Sequence, residues 1–201
     1  KIMCWAALDR AASLATSLGE SRQATEWRRT ADIIHDEVMA RGWSERKQAF
    51  VQRYGSDDLD ASLLMVPFLN FLTPDDPRVR SNLDAISREL ADGPFVRRYI
   101  PTSTDDGLHG EDEGAFTLLS FWLIGNLIMT GQTDKAQEYF GQIMEHANHV
   151  GLFSEMIDPR TGEFLGNFPQ AYSHVGLIHT AMNLSRALGE NTPENDFKSG
   201  R

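Results

Sequence analysis

Glu155 is the residue whose setting most invites chemistry. It follows Phe153-Ser154 and precedes Met156 within residues 151–170, GLFSEMIDPRTGEFLGNFPQ. That stretch joins two helical segments, and long connections in compact helical domains tend to be functional. A carboxylate with apolar neighbours can hold a shifted pKa, as acid–base catalysis requires. The same residues also fit a solvated loop acid beside the turn Asp158-Pro159-Arg160-Thr161-Gly162. Two further long connections carry comparable residue types. Residues 41–59 supply Trp43, Gln52, Tyr54, Asp57 and Asp58. Residues 92–114 supply Arg97, Arg98, Tyr99, Asp105, Asp106, His109, Glu111, Asp112 and Glu113. Rings stack on sugar faces, and charged groups make short hydrogen bonds to hydroxyls, so this mixture suits a carbohydrate cleft. Glu111, Asp112 and Glu113 serve equally well as an acidic helix N-terminus.

Other chemistries find less support. His146 and His149 stand three apart without a third ligand, so no metal site is expected. Ser154 has no adjacent histidine, and Cys4, beside Trp5 in an apolar helix, reads as packing. No phosphate loop, dinucleotide fingerprint or zinc motif occurs, so no cofactor is expected. The 201 residues make one domain or a large part of one, with a net charge of −10. That charge argues against nucleic acid and anionic membrane as partners. No apolar run approaches the ~20 residues of a membrane span. A single cysteine leaves no internal disulfide and fits a reducing, cytoplasmic compartment.

The elements that would position these residues are helices. Trp5, Ala6, Leu8, Ala12 and Leu14 predict a mostly buried first helix ending near Gly19. A second is expected over 23–40, a third over 60–71 and a fourth over 79–91. The fifth, from Ala115 to Ile128, is apolar on nearly every face and must be buried. A sixth is expected over 134–149 and a seventh over 171–188, followed by a polar tail over 189–201. Short and long connections alternate, so hairpins begin near residues 1, 59, 114 and 171. The sequences do not repeat, but the spacing predicts a helical array with every long loop at one end. The first helix of each pair is the more apolar, as in the inner layer of an α/α toroid or a solenoid.

At this level the chain resembles a known family. LFSEMIDPRTGEFLGNFPQAYSHVGLI is similar to the C-terminal signature of glycoside hydrolase family 15, in its bacterial glucoamylase-like branch, which also holds trehalases. KIMCWAALDRA, LDASLLMVPFLNFL and GEDEGAFTLLSFWL resemble the same family in the expected order. The resemblance implies an all-α fold, an (α/α)6 toroid of helical hairpins, with residues 1–188 its C-terminal part. Family members invert the anomeric centre with two carboxyl groups, one acid and one base. By resemblance Glu155 is the general base. The general acid is expected on the segment preceding the match to KIMCWAALDR, so these residues alone are not expected to turn over substrate. Arg98-Tyr99 resembles a pair that holds the nonreducing-end glucose, and Glu113 resembles an acid near the same subsite. Residues 101–110 are longer than the family pattern, and Met156 replaces a more polar residue. Trp43 and Tyr54 are stacking candidates.

The function implied first is an inverting, glucoamylase-like hydrolase acting on α-linked glucosides, with trehalase as its alternative within the family. A noncatalytic carbohydrate-binding helical array is the alternative from another class. A sugar that protects the protein against unfolding without being hydrolysed would mark that binder.

Overall fold

The computed structural model describes residues 1–100 and 113–189, which form two compact units: 1–90 with 99 and 100, and 91–98 with 113–189. Asp105, Asp106, His109, Glu111, Asp112, the longer 101–110 stretch and the tail beyond residue 189 lie outside the described residues.

The first unit opens with the hairpin of α1 (Ile2–Ser17) and α2 (Ser21–Arg41). Gly19, at φ +78°, makes the turn between them. The pair buries Trp5, Ala6, Ala12 and Ala15 from α1 with Ala31 and Val38 from α2. Met3, Cys4, Leu14 and Leu18 remain exposed, so α1 is less buried than its composition implies. α1 is apolar on more than one face, and α2 covers only one of them. A two-residue ribbon follows, pairing β1 (Trp43–Ser44) with β2 (Ala49–Phe50).

The helix expected over 60–71 is not continuous. Ala61–Leu64 form a 3-10 turn capped by Asp60, and α3 (Met65–Phe68) is a single turn. Pro67 is the physical reason, since a helix begun at residue 60 would set its ring against the carbonyl of residue 63. The chain then turns away at Asn70, with φ 56°. α4 (Pro77–Leu90) starts as its sequence dictates. Pro77 occupies the first helical position, and Asp76 Oδ1 accepts the Arg78 backbone N–H at 2.9 Å. Val79, Asn82, Leu83, Ile86 and Leu90 fall on its buried face. Buried Asn82 accepts the Phe50 backbone N–H at 3.1 Å and donates to the Leu63 carbonyl at 3.2 Å. It thereby ties α4 to β2 and the 3-10 turn.

The second unit begins with the ribbon of β3 (Ala91–Asp92) and β4 (Phe95–Val96). β5 (Ala115–Phe116) leads directly into α5 (Thr117–Met129), nine of whose thirteen residues are buried. α5 packs against α6 (Thr133–Met144) and α7 (Ala171–Ala187). α6 stops short of its expected end at residue 149. Asn148 Oδ1 accepts the backbone N–H groups of Val150 and Leu152 at 3.0 and 2.8 Å, drawing the chain into a turn instead. Between α6 and α7, β6 (Met156–Ile157) and β7 (Phe164–Leu165) form a hairpin, and β5 adds on the other side of β6. Residues 151–170 are therefore a small sheet bound to the start of α5.

Candidate active site

Glu155 stands one residue before β6 and is held on every side. Its backbone N–H donates to the Asn167 carbonyl at 2.9 Å, and its own carbonyl accepts the Thr117 N–H at 3.0 Å. The half-buried carboxylate receives two bonds on one oxygen. Asn167 donates to Oε2 from its backbone N at 3.1 Å and from Nδ2 at 2.8 Å. Among the described residues Oε1 takes no hydrogen bond. One oxygen is thus fixed by two neutral donors, and the other keeps its acceptor capacity.

Gly166 makes this geometry sterically feasible. A Cβ there would lie 2.7 Å from Glu155 Oε2 and 3.1 Å from its Cβ. The residue also sits at φ +71°, where side chains are disfavoured. Asp158 shapes the hairpin's far end, accepting the Arg160 backbone N–H at 2.8 Å. That bond holds the Asp158 carboxyl below the usual carboxylate range, with the Arg160 side chain adding to it and partial desolvation opposing.

The segment before Glu155 is stitched to α7. Gln170 N–H donates to the Phe153 carbonyl at 3.0 Å, and Ser173 Oγ donates to the Ser154 carbonyl at 2.8 Å. Phe153 is fully buried and meets Phe121 of α5 edge to face, with centroids 5.8 Å apart. Burying a side chain of that size is worth about 1.5–3 kcal/mol. An apolar anchor and three elements therefore locate one carboxylate.

Arg98 and Glu113 come together in the same unit, with Nη2 2.9 Å from Oε1. The Arg98 guanidinium also lies over the Phe116 ring, 5.4 Å from its centroid. Phe116 pairs with Met156, the neighbour of Glu155, so Arg98 lies over a residue of the small sheet that Glu155 adjoins. Ser120 Oγ fixes the approach to Arg98 by accepting the Val96 N–H at 3.2 Å.

The remaining candidates belong to the first unit. Tyr99 is only 6% exposed, leaving little of its ring to stack on a sugar. Trp43 is half-buried, with its ring 5.2 Å from Phe50 at the end of an aromatic row through Phe50, Phe71 and Trp5. The Tyr54 ring is covered by the Arg41 guanidinium at 4.4 Å and faces Lys1 Nζ at 5.1 Å. Asp57 accepts from Ser44 Oγ and from Arg46 Nε at 2.7 Å, bonds that together lower its pKa and close the β1–β2 loop. In the second unit, His146 packs edge to face on Phe95 at 5.0 Å. Among the described residues no three His, Cys, Asp or Glu side chains cluster to hold a metal, and no helix is long and apolar enough to cross a membrane.

Asn167 is one of the residues that the sequence already places on this loop with Glu155, and His174 reads from the sequence as a packed histidine or one at the cleft mouth. Gly166 and Ser173 are the residues that sequence reasoning passed over, and their only signal is position, 11 and 18 residues beyond Glu155.

The chain is thus an array of helical hairpins that carries a braced carboxylate on a connecting loop. The model of the glycosyl hydrolases family 15 matches residues 1–182, and the chain belongs to that family. Its relatives include proteins named trehalase. That of Mycobacterium tuberculosis is 46% identical over 190 residues, covering 94% of this chain and 28% of the relative. That of Thermoplasma volcanium is 45% identical over 193 residues, covering 96% and 30%. The chain thus spans less than a third of the length of these relatives. Among solved structures, a wild-type glycosidase matches with a TM-score of 0.70 and 25% identity, over 90% of this chain and 49% of that one. A bacterial glucoamylase complexed with acarbose matches with a TM-score of 0.76 at 17% identity, over 92% of this chain and 32% of that one, a likeness of fold alone. The fold class is accordingly all-α, that of the (α/α)6 toroid, of which this chain holds a part.

Proposed function

We propose that the full-length protein carrying this chain is an inverting trehalase, with Glu155 as its general base. The observation that carries the reading is the Glu155 carboxylate itself, with Oε2 fixed by Asn167 and Oε1 unbonded among the described residues. In this reaction a water attacks the anomeric carbon from the face opposite the departing glucose. Oε1 takes the proton, while a second carboxyl group, about 6.5–9.5 Å away, protonates the leaving oxygen. Trehalose and water then give one β-glucose and one α-glucose. That second carboxyl is expected upstream of Lys1. Arg98, Glu113 and Tyr99 are proposed as contacts to the glucose unit, with Trp43 and Tyr54 as stacking residues. Residues 1–188 are proposed as the C-terminal part of the catalytic domain, followed by a tail, in a protein of the cytoplasm.

Trehalose is preferred over the nonreducing ends of α-glucans, which the motif resemblance puts first. The support is the name shared by relatives at 45–46% identity, whereas the glucoamylase likeness is one of fold. The test is glucose release by the full-length protein from trehalose and from maltotriose, beside its Glu155→Gln variant. Trehalose should be cleaved, α- and β-glucose should appear in equal amounts before they mutarotate, and the variant should lose about a hundredfold or more of the rate. Cleavage of maltotriose but not trehalose would return the reading to a glucoamylase. Full activity of the variant would remove Glu155 from the mechanism.

A further inference from the structure

Both ring nitrogens of half-buried His174 meet backbone groups of fixed polarity. Nδ1 lies 2.7 Å from the Gln170 carbonyl oxygen, and Nε2 lies 3.3 Å from the Phe153 backbone nitrogen. A carbonyl only accepts and a peptide N–H only donates, so Nδ1 carries the proton and Nε2 does not. The imidazole is thereby defined as neutral and as a single tautomer. We propose that His174 is a positioning residue for Glu155, holding the base loop through the Phe153 N–H. The inference rests on reading Glu155 as the general base.

Phe153 is fully buried, and His174 Nε2 is the acceptor for its backbone N–H. A buried N–H that loses its acceptor bears the full desolvation penalty, which the loop can relieve only by shifting. The Phe153 carbonyl and the Ser154 carbonyl are fixed by Gln170 and Ser173, so His174 completes the attachment of this strand to the first turn of α7. Its ring also rests 6.1 Å from the Phe153 ring, which seats the phenyl group that anchors the loop. Two residues later the Glu155 backbone enters its bonds with Asn167 and Thr117. A displacement at Phe153 therefore moves the carboxylate without removing any group that would contact the sugar.

The test measures kcat and KM on trehalose for the full-length protein and its His174→Phe, His174→Gln and Glu155→Gln variants. His174→Phe keeps a ring but loses the acceptor, so kcat should fall by about tenfold to a hundredfold. KM should stay within about twofold, because no sugar contact is lost. His174→Gln keeps one donor and one acceptor and should regain most of kcat. Unchanged kcat in His174→Phe, with Glu155→Gln inactive, would overturn the positioning role and leave the base assignment standing. So would losses in the Phe and Gln variants that are equal and match equal falls in Tm, which mark a merely structural part. An active Glu155→Gln would remove the base assignment itself and the positioning role with it. Should His174→Phe fail to fold, 15N NMR of the wild-type imidazole decides. A protonated Nδ1 with a bare Nε2 is expected, and the opposite tautomer would overturn the inference.

Discussion

A carboxylate that is to take a proton from water must be held still without being neutralised. In the role proposed for Glu155, Asn167 would do this with two uncharged donors on one oxygen. Gly166 supplies the room. Gly166→Ala should therefore displace the carboxylate and lower kcat by about tenfold to a hundredfold, measured by steady-state kinetics beside a thermal melt. Asp158 gives the hairpin a pH dependence whose sign follows from its bonds. Its folded pKa lies below the ordinary value, so its contribution to stability is complete above that ordinary value and fades as pH falls through the folded one. An NMR titration should find the Asp158 midpoint below about 3.9. Asp158→Ala should flatten the acid side of the stability profile. At this scale the sequence disclosed less than the structure. Glu155 stood out by its neighbours and by family resemblance. Its pairing with Asn167 depends on hairpin register across twelve residues, and no local pattern encodes that.

Elements decide where such side chains arrive. α7 approaches α5 closely enough for Thr180 Oγ1 to donate to the Phe121 carbonyl at 3.2 Å. Gly176 permits that approach, since a Cβ there would lie 3.0 Å from Leu118 Cδ1, 3.1 Å from Phe121 Cβ and 3.2 Å from its Cδ2. Phe121 is fully buried and cannot retreat. Gly176→Ala gains up to about 1 kcal/mol in helix propensity. It should lose about 1–3 kcal/mol to overpacking. Thermal unfolding should therefore show a lower Tm, and a raised Tm would mean that α7 can slide. Six of the seven helices were legible because an apolar stripe at helical spacing survives over many turns. The third was misread because apolar residues on both sides of Pro67 imitate that stripe. The ribbons were invisible because strands of two residues contain no alternation to detect.

At the scale of the whole chain, α1 and α7 are among the helices that present apolar residues to solvent. On α1 these are Met3 and Leu14, with Leu18 at its end, and on α7 they are Tyr172, Val175 and Ile178, the last three being 70%, 62% and 59% exposed. Exposed apolar faces of this kind associate. The 201 residues expressed alone should bind a hydrophobic dye such as ANS and self-associate as concentration rises. Val175→Glu should reduce both, as read by fluorescence and light scattering, while unchanged association would clear α7 of that role. Helical class and family membership were legible at this scale, because periodicity and four ordered motifs extend over most of the chain. That part of the inner helices would be exposed was also expected, but not which residues, since an apolar residue reads the same whether or not a neighbour covers it.

The hairpin of β6 and β7 separates two duties along one short stretch of chain. Its base carries the carboxylate and is tied to α5, β5 and α7, whereas its tip, around Arg160 and Thr161, is exposed and turned by the Asp158 and Thr161 side chains. Length can therefore vary at the tip while the base keeps its register. Natural insertions in homologues, or a grafted reporter peptide, would be tolerated at Arg160-Thr161 and would travel with the Glu155 carboxylate without disturbing it.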